Sequence, residues 1–116
     1  MNGAQAEDQA LRMLEKRGLR LLARNWRCRA GELDLVMRDG DTVVVAEVRA
    51  RSRDDFGSAA ETVDGRKQRK LARAARLFLS SRPDLGEAPV RFDVVALDGA
   101  EKIEWVQNAF EVGDES

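Results

Sequence analysis

Charged side chains suited to metal-ion chemistry are concentrated in one predicted hairpin of this 116-residue chain. Residues 32–38 and 42–49 have the apolar and β-branched content of two strands, and Asp39-Gly40 between them is a strong turn signal. Because successive side chains of a strand point to opposite faces, one face of the hairpin carries most of its charge. The charged residues predicted on that face are Glu32, Asp34, Glu47 and Arg49.

The register of the hairpin determines which carboxylates meet. With the predicted turn as a two-residue loop, Glu32 lies opposite Glu47, and Asp34 lies opposite Val45. Carboxylates about 5 Å apart repel by roughly 3 kcal/mol at an effective dielectric constant near 20, and a hard cation such as Mg²⁺ relieves that repulsion. The alternative is a solvated sheet face on which Glu47 pairs locally with Arg49.

Apolar side chains occur on both faces of the hairpin. Val36, Val43 and Val45 accompany the charged residues, which indicates that helices cover this face and favours a site over a solvated surface. The opposite face is predicted to build a core from Leu33, Leu35, Met37, Val44, Ala46 and Val48.

The absence of histidine limits the possible chemistry. With no histidine and one cysteine, Cys28, the chain excludes Ser-His-Asp and Cys-His catalysis and the usual mixed His/Cys zinc sites. Hydrolysis would therefore depend on carboxylates, amines, guanidinium groups and a metal ion. Cys28 is predicted to be a small structural residue, and a lone cysteine fits a reducing cytoplasm.

Composition and charge distribution point to a soluble protein that binds a polyanion. The chain is 43% hydrophobic and 35% charged, and neither a membrane-length apolar run nor a signal-peptide pattern is apparent, so no membrane partner is expected. The net charge of −1 hides segregation: residues 49–82 hold ten Arg/Lys against four acids, and residues 83–116 hold two against nine. Basic blocks of this kind can bind nucleic acid despite overall neutrality.

Apolar periodicity and capping signals predict the other elements. A strand–helix–strand unit over residues 42–97 has the length of a right-handed crossover, which makes its two strands parallel. The expected fold is α/β, a mixed five-stranded sheet flanked by helices in the order α-β-β-β-α-β-β, as one domain over residues 1–112 with a disordered acidic tail at 113–116. The further elements are helices over 3–17 and 65–81, and strands over 19–26, 90–97 and 103–110.

The second predicted helix, capped by Asp64, carries six almost unbalanced positive charges. A solvated face is the usual explanation of such a run, but the imbalance favours contact with a phosphate backbone. The residues predicted to make this contact are Arg51, Arg66, Lys67, Lys70 and Arg73.

The sequence resembles a known family over nearly its whole length. The acid-x-acid strand followed by Glu47-Val48-Arg49 resembles the PD-(D/E)xK nuclease superfamily, and the element order resembles its restriction-endonuclease-like core. More closely, the chain resembles the small bacterial YraN-like family. The stretches that carry this resemblance are GAQAED, NWRCRAGELDLVMRDGDTVVVAEVRAR, FGSAAETVDGRKQRK and RFDVVALDG.

The resemblance implies roles for individual residues. Asp34 and Glu47 match the acidic metal ligands of the superfamily, and the carbonyl of Val48 would supply another oxygen. Glu7 matches an acid on the N-terminal helix of archaeal Holliday-junction resolvases, although a first-turn acid favoured by the helix dipole is the alternative. Gln68 matches a helix residue that approaches the active site.

Two further positions of the signature are less regular. Glu32 belongs to the family's GE-hydrophobic-D motif and is expected to have a supporting role. Arg49 stands where the superfamily usually has lysine; arginine stays charged, so it could neutralise charge on a phosphate but could not act as a base. The catalytic residues implied are Asp34, Glu47, Arg49, Gln68 and Glu7.

Three functions remain open from the sequence. The first is an endonuclease dependent on Mg²⁺ or Mn²⁺ that acts on DNA, including branched, flapped or junction DNA. The second is a nucleic-acid-binding module on a nuclease-like scaffold with weak or no catalysis, which Arg49 favours. The third is a protein-interaction adaptor that uses its acidic C-terminal third. A homodimer is a candidate assembly, with the sheet edge at residues 90–110 as its candidate face.

Overall fold

A five-stranded mixed sheet with one helix on each face forms the body of the protein. The computed structural model describes residues 1–51, 59–99 and 102–111. Its helices and strands are α1 (Gly3–Lys16), β1 (Arg20–Cys28), β2 (Gly31–Asp39), β3 (Thr42–Arg51), α2 (Gly65–Ser80), β4 (Val90–Asp98) and β5 (Ile103–Phe110). Strand order in the sheet is β1-β2-β3-β4-β5, in which only β3 and β4 are parallel. This confirms the predicted α/β fold and is consistent with a restriction-endonuclease-like core.

Local sequence signals determine where the helices begin. Asn2 caps α1 in a capping box, because its side chain accepts from the backbone N–H of Gln5, whose side chain accepts from the Asn2 N–H. Asp64 caps α2 as predicted, with its Oδ1 2.9 Å from the Lys67 backbone nitrogen. Two short 3₁₀ segments, Ala60–Thr62 and Pro83–Leu85, flank α2.

The sheet separates two hydrophobic clusters. On one face α1 buries Ala6, Ala10 and Leu14 against the sheet. On the other face α2 packs over the sheet, and Phe78 makes an edge-to-face contact with Trp26 at 5.3 Å between ring centroids. Helices therefore cover both faces, as the apolar residues among the hairpin charges indicated.

The β2–β3 turn differs from the prediction. Asp39 pairs with Thr42, so the loop residues are Gly40 and Asp41 rather than Asp39 and Gly40. Gly40 has a φ of +59°, and a positive φ at only the first loop position is typical of a type II′ turn. The predicted pairs of Glu32 with Glu47 and of Asp34 with Val45 are therefore wrong by two residues.

This shift brings a different carboxylate pair together. Val45 pairs with Val36, and the paired residues of β2 and β3 run from the turn to Leu35–Ala46. Continuing that register by one residue sets Asp34 opposite Glu47. Because the displacement is an even number of residues, it does not by itself exchange the faces of the two strands.

The structure places Leu33 on the opposite face of the sheet from the one predicted. Leu33 belongs to the cluster under α2, whereas Leu35 belongs to the cluster under α1. Beside them in β1, Asn25 has a left-handed φ of 51°, and the neighbouring Arg24 and Trp26 contact opposite helices. This bend in the edge strand interrupts the alternation on which the predicted face depended.

A buried acid holds β5 against β4. Asp93 is fully buried, and its two oxygens accept from Arg91 Nε and Nη2 at 2.9 and 3.0 Å. They also accept from Trp105 Nε1 and the Asn108 backbone nitrogen, each at 2.9 Å. These bonds satisfy the carboxylate and fix the bulge at Asn108, whose φ is 51°.

Two further expectations concern the C-terminal tail and membrane-spanning helices. The predicted acidic tail at 113–116 lies outside the described residues. In the part of the chain that is described, no helix is long and apolar enough to cross a membrane.

Candidate active site

Asp34 lies at the point where β2 leaves β3. The last pair of the β2–β3 ladder is Leu35–Ala46, and β3 continues beside β4 to Arg51. Beyond that pair, a side-chain hydrogen bond joins the two strands: Oδ2 of Asp34 accepts from the Val48 backbone nitrogen at 2.9 Å. The hydrogen bond fixes the carboxylate of Asp34 beside β3.

Glu47 is the second carboxylate of the site and is only 5% exposed. Its Oε1 lies 3.5 Å from Lys67 Nζ and 3.6 Å from Arg49 Nη2. Its Oε2 is buried with no hydrogen-bond partner among the described residues, and Arg49 Nε is in the same condition. An unpartnered buried carboxylate oxygen is costly to a folded protein, so these atoms indicate room for a ligand.

Both carboxylates have a raised affinity for protons. Burial, and then the charge of Asp34, raise the pKa of Glu47 to about 7, although Lys67 and Arg49 oppose the change. Burial also raises the pKa of Asp34, against the lowering effect of its hydrogen bond from Val48. Without a cation, this carboxylate pair therefore resists full ionisation.

Glu7 and Glu32 lie on the periphery of the site. Their charges contribute to the raised pKa of Asp34, which indicates that both are near it. Glu7 is 3.5 Å from Arg24 Nε, and Glu32 is 3.4 Å from Arg27 Nε. Each is thus partly neutralised by an arginine of β1, which suits a supporting position for both.

The hydrogen bond of Gln68 is not with an acid of the site, which the family resemblance implies that it approaches. Its Nε2 donates to the carbonyl oxygen of Val63 at 3.0 Å, immediately before α2 begins. No hydrogen bond joins it to Asp34 or Glu47 within the described residues. In this arrangement Gln68 secures the start of α2.

Lys67 is the residue of the site that the sequence assigned differently. It was expected to contact a phosphate backbone, but its ammonium group points to Glu47 from the first turn of α2. Two local signals could have indicated that Lys67 approaches Glu47: its position three residues after the helix cap, and its place next to Gln68 in the sequence. Of the other residues predicted to contact a phosphate backbone, Arg66, Lys70 and Arg73 are exposed on α2. Arg51 instead has its Nη1 3.7 Å from Oε2 of Glu104.

The donor set suits a hard divalent cation bound together with a substrate. Among the described residues, no group of three or more His, Cys, Asp or Glu side chains has the arrangement of a metal centre. The site instead offers Asp34 and Glu47, including an unpartnered oxygen. Mg²⁺ typically binds one or two carboxylates and completes its shell with waters and substrate phosphates, so these residues fit it. The carbonyl of Val48 remains the third expected donor.

Comparison with known proteins identifies the family. The profile of "Uncharacterised protein family UPF0102" matches residues 6–97. The chain is 57% identical over 113 residues to a UPF0102 protein of Pseudomonas entomophila (strain L48), with 94% of this chain and 92% of that protein covered. It is 54% identical over 113 residues to a UPF0102 protein of Stutzerimonas stutzeri (strain A1501), with 95% and 94% covered. The chain therefore belongs to the uncharacterised protein family UPF0102, which confirms the YraN-like resemblance.

Proposed function

We propose that this protein is an endonuclease that hydrolyses phosphodiester bonds in DNA with Mg²⁺ or Mn²⁺. The observation that carries the proposal is the buried Oε2 of Glu47, which has no hydrogen-bond partner among residues 1–51, 59–99 and 102–111 and lies near a second carboxylate, Asp34. A buried acid pair of this kind is unfavourable without a cation and suited to one. The resemblance to the PD-(D/E)xK superfamily supports the same proposal.

Asp34 and Glu47 would hold the cation, with the Val48 carbonyl as a further donor. When bound, a divalent cation lowers the pKa of a water molecule and offsets the negative charge of a phosphate. The hydrogen bond from the Val48 nitrogen keeps Asp34 in place before any ligand arrives. The protein thus supplies a preorganised carboxylate pair rather than one that must assemble around its ligand.

Two positively charged side chains of the site, Arg49 and Lys67, would act on the phosphate. Arg49 has a buried Nε with no hydrogen-bond partner in the described part of the chain, so it can donate to a phosphate oxygen and stabilise charge there. Lys67, within reach of Glu47, can orient a water molecule and take or give a proton, which arginine cannot do. We therefore assign to Lys67 the role that the superfamily usually gives to the lysine at the position of Arg49.

The substrate class follows from the charge of the surrounding surface. Arg66, Lys70 and Arg73 are exposed on α2 and suit a polyanion, with no requirement for a base sequence. We propose DNA, including branched, flapped or junction forms, and a homodimer where a two-fold junction is the substrate. The proposed compartment is the cytoplasm, where a single cysteine stays reduced.

A second candidate is a DNA-binding module without catalysis. Lys67 and Arg49 both approach Oε1 of Glu47, so part of its charge is already offset without a metal ion. In that case the carboxylate pair would be a remnant of a nuclease scaffold, and α2 would do the binding. The adaptor function has no comparable observation in its favour.

Cleavage of end-labelled DNA separates these candidates. Single strand, duplex, flap and four-way junction would be incubated with Mg²⁺, Mn²⁺ or EDTA, using wild type, Glu47→Gln and Glu87→Gln. Glu87 is exposed on the loop before β4, so its variant is a matched control that also loses one carboxylate. The nuclease proposal expects cutting that requires metal and is lost only in Glu47→Gln. Equal activity in all three proteins, or none in any, would reject it.

A further inference from the structure

A basic groove lies away from the carboxylates, between the β1–β2 turn and the outer surface of α2. Its volume is about 590 Å³. Of the six described residues that line it, four are cations and none is acidic. The lining residues are Arg29, Ala30, Lys70, Arg73, Arg76 and Leu77.

The charge of this groove is not balanced by acids among the described residues. In that part of the chain, none of its four cations forms a salt bridge, and all four are exposed. The basic side chains elsewhere that do pair with acids include Arg24, Arg27, Arg49, Lys67, Arg82 and Arg91. Four cations around one cavity repel one another and focus a positive potential into it, which an anion relieves.

The lining of the groove favours one kind of anion. Ala30 and Leu77 line it beside the four cations. Guanidinium groups can bind phosphate oxygens in pairs, so a phosphate diester fits the cations better than a compact single charge does.

Helix α2 separates the groove from the carboxylate site. Lys67, which approaches Glu47, and Arg76, which lines the groove, both lie on this helix. At about 1.5 Å of rise and about 100° of turn per residue, the two residues are about 13 Å apart along the helix axis and on opposite sides of it. The groove is therefore a place of contact distinct from the carboxylate site.

We propose that this groove binds backbone phosphates of DNA at a distance from the bond that is cut. The inference rests on the proposed function for the identity of the polymer, but the groove itself does not include the carboxylates. It accounts for α2 having cations along its outer surface beyond Lys67. It also assigns Arg29 and Arg76 a role in binding.

The test is DNA binding in EDTA, where cleavage cannot occur. Fluorescence anisotropy of a labelled 30-base-pair duplex would be measured between 50 and 200 mM salt for wild type and for Arg29→Gln/Arg73→Gln/Arg76→Gln. The matched control, Arg12→Gln/Lys16→Gln/Lys102→Gln, removes the same charge from other exposed positions. Urea unfolding of each protein would establish that it is folded.

We expect the groove variant to bind at least about tenfold more weakly at 100 mM salt, with the slope of log K against log salt reduced by about three. The control should change little. Equal weakening in both variants would show a general charge effect and overturn the groove, and so would unchanged binding in both. If the triple variant fails to fold, Arg76→Gln alone should reduce the slope by about one.

The outcome is separate from that of the nuclease proposal. Loss of binding confined to the groove variant, in a wild type that does not cut DNA in Mg²⁺ or Mn²⁺, supports the groove and rejects only catalysis. Metal-dependent cutting with unchanged affinity in the groove variant supports catalysis and rejects only the groove.

Discussion

Replacing Glu47 by glutamine should stabilise the metal-free protein at pH 8 and have little effect at pH 5. The pKa of Glu47 is raised from its ordinary 4.5 to about 7, chiefly by burial. Between these values the folded chain keeps a proton that the unfolded chain has lost. The free energy of unfolding of the wild type should therefore fall as pH rises from about 4.5 to about 7, and then level off.

The size of the effect follows from the two pKa values. Each whole step in pKa is worth about 1.4 kcal/mol, so ionising Glu47 in the folded state costs about 3 kcal/mol. The pKa of about 7 already includes the opposing effects of Lys67 and Arg49, so the cost of about 3 kcal/mol is a net value. Glutamine keeps the shape of the protonated acid and removes that cost. We expect a net gain of about 3 kcal/mol at pH 8.

Urea unfolding in EDTA, followed by tryptophan fluorescence at pH 5, 6, 7 and 8, would measure this gain. Trp26 is a suitable reporter because its ring packs edge-on against Phe78 in the core. Glu87→Gln makes the same change in net charge at an exposed position and should show no such pH dependence. A Glu47→Gln protein that is no more stable than wild type at pH 8, or equally stabilised at pH 5, would refute the argument from burial.

Three further perturbations test the site and the sheet. In differential scanning fluorimetry at pH 8, Mn²⁺ should raise the thermal midpoint of the wild type but not that of Asp34→Asn, because a ligand stabilises only the state that binds it. An equal rise for both proteins would place the ion elsewhere. Lys67→Met should slow single-turnover cleavage by about 100-fold or more, whereas Arg49→Lys should keep most of the rate, and the reverse order would contradict the assignment of Lys67. Asp93→Asn should lower the free energy of unfolding by about 3 kcal/mol, because Arg91 would lose its buried charge partner. The exposed Asp84→Asn is its control in urea, and similar midpoints for the two variants would contradict the importance of the Asp93 network.

The sequence predicted the elements well because their signals are local. Asp64 marks the start of α2, and Gly18, with a φ of +92°, follows the end of α1. The hairpin prediction failed in its turn, since Asp39-Gly40 and Gly40-Asp41 are both plausible two-residue loops. The predicted pairing was therefore displaced by two residues, an even number that does not exchange the faces of the strands.

The parts of the site that could not be predicted depend on packing between distant segments. Lys67 lies twenty residues after Glu47 in sequence, and on a helical projection it resembles the exposed cations beside it. Only the placement of α2 over β2, the neighbour of β3, brings it to the carboxylate. Asp93 was likewise hidden in an apolar strand, because its partners Trp105 and Asn108 come from β5.

The asparagines of the two edge strands have a consequence for self-association. Asn25 in β1 and Asn108 in β5 both have left-handed backbones, so neither outer strand is a straight template for another chain. The β-branched segment TVVVAEV, which would be prone to form cross-β aggregates, lies in β3 at the centre of the sheet with a neighbour on each side. Straightening either edge, for example with valine at position 25 or 108, should leave the fold largely intact while making the protein polymerise through its sheet edges.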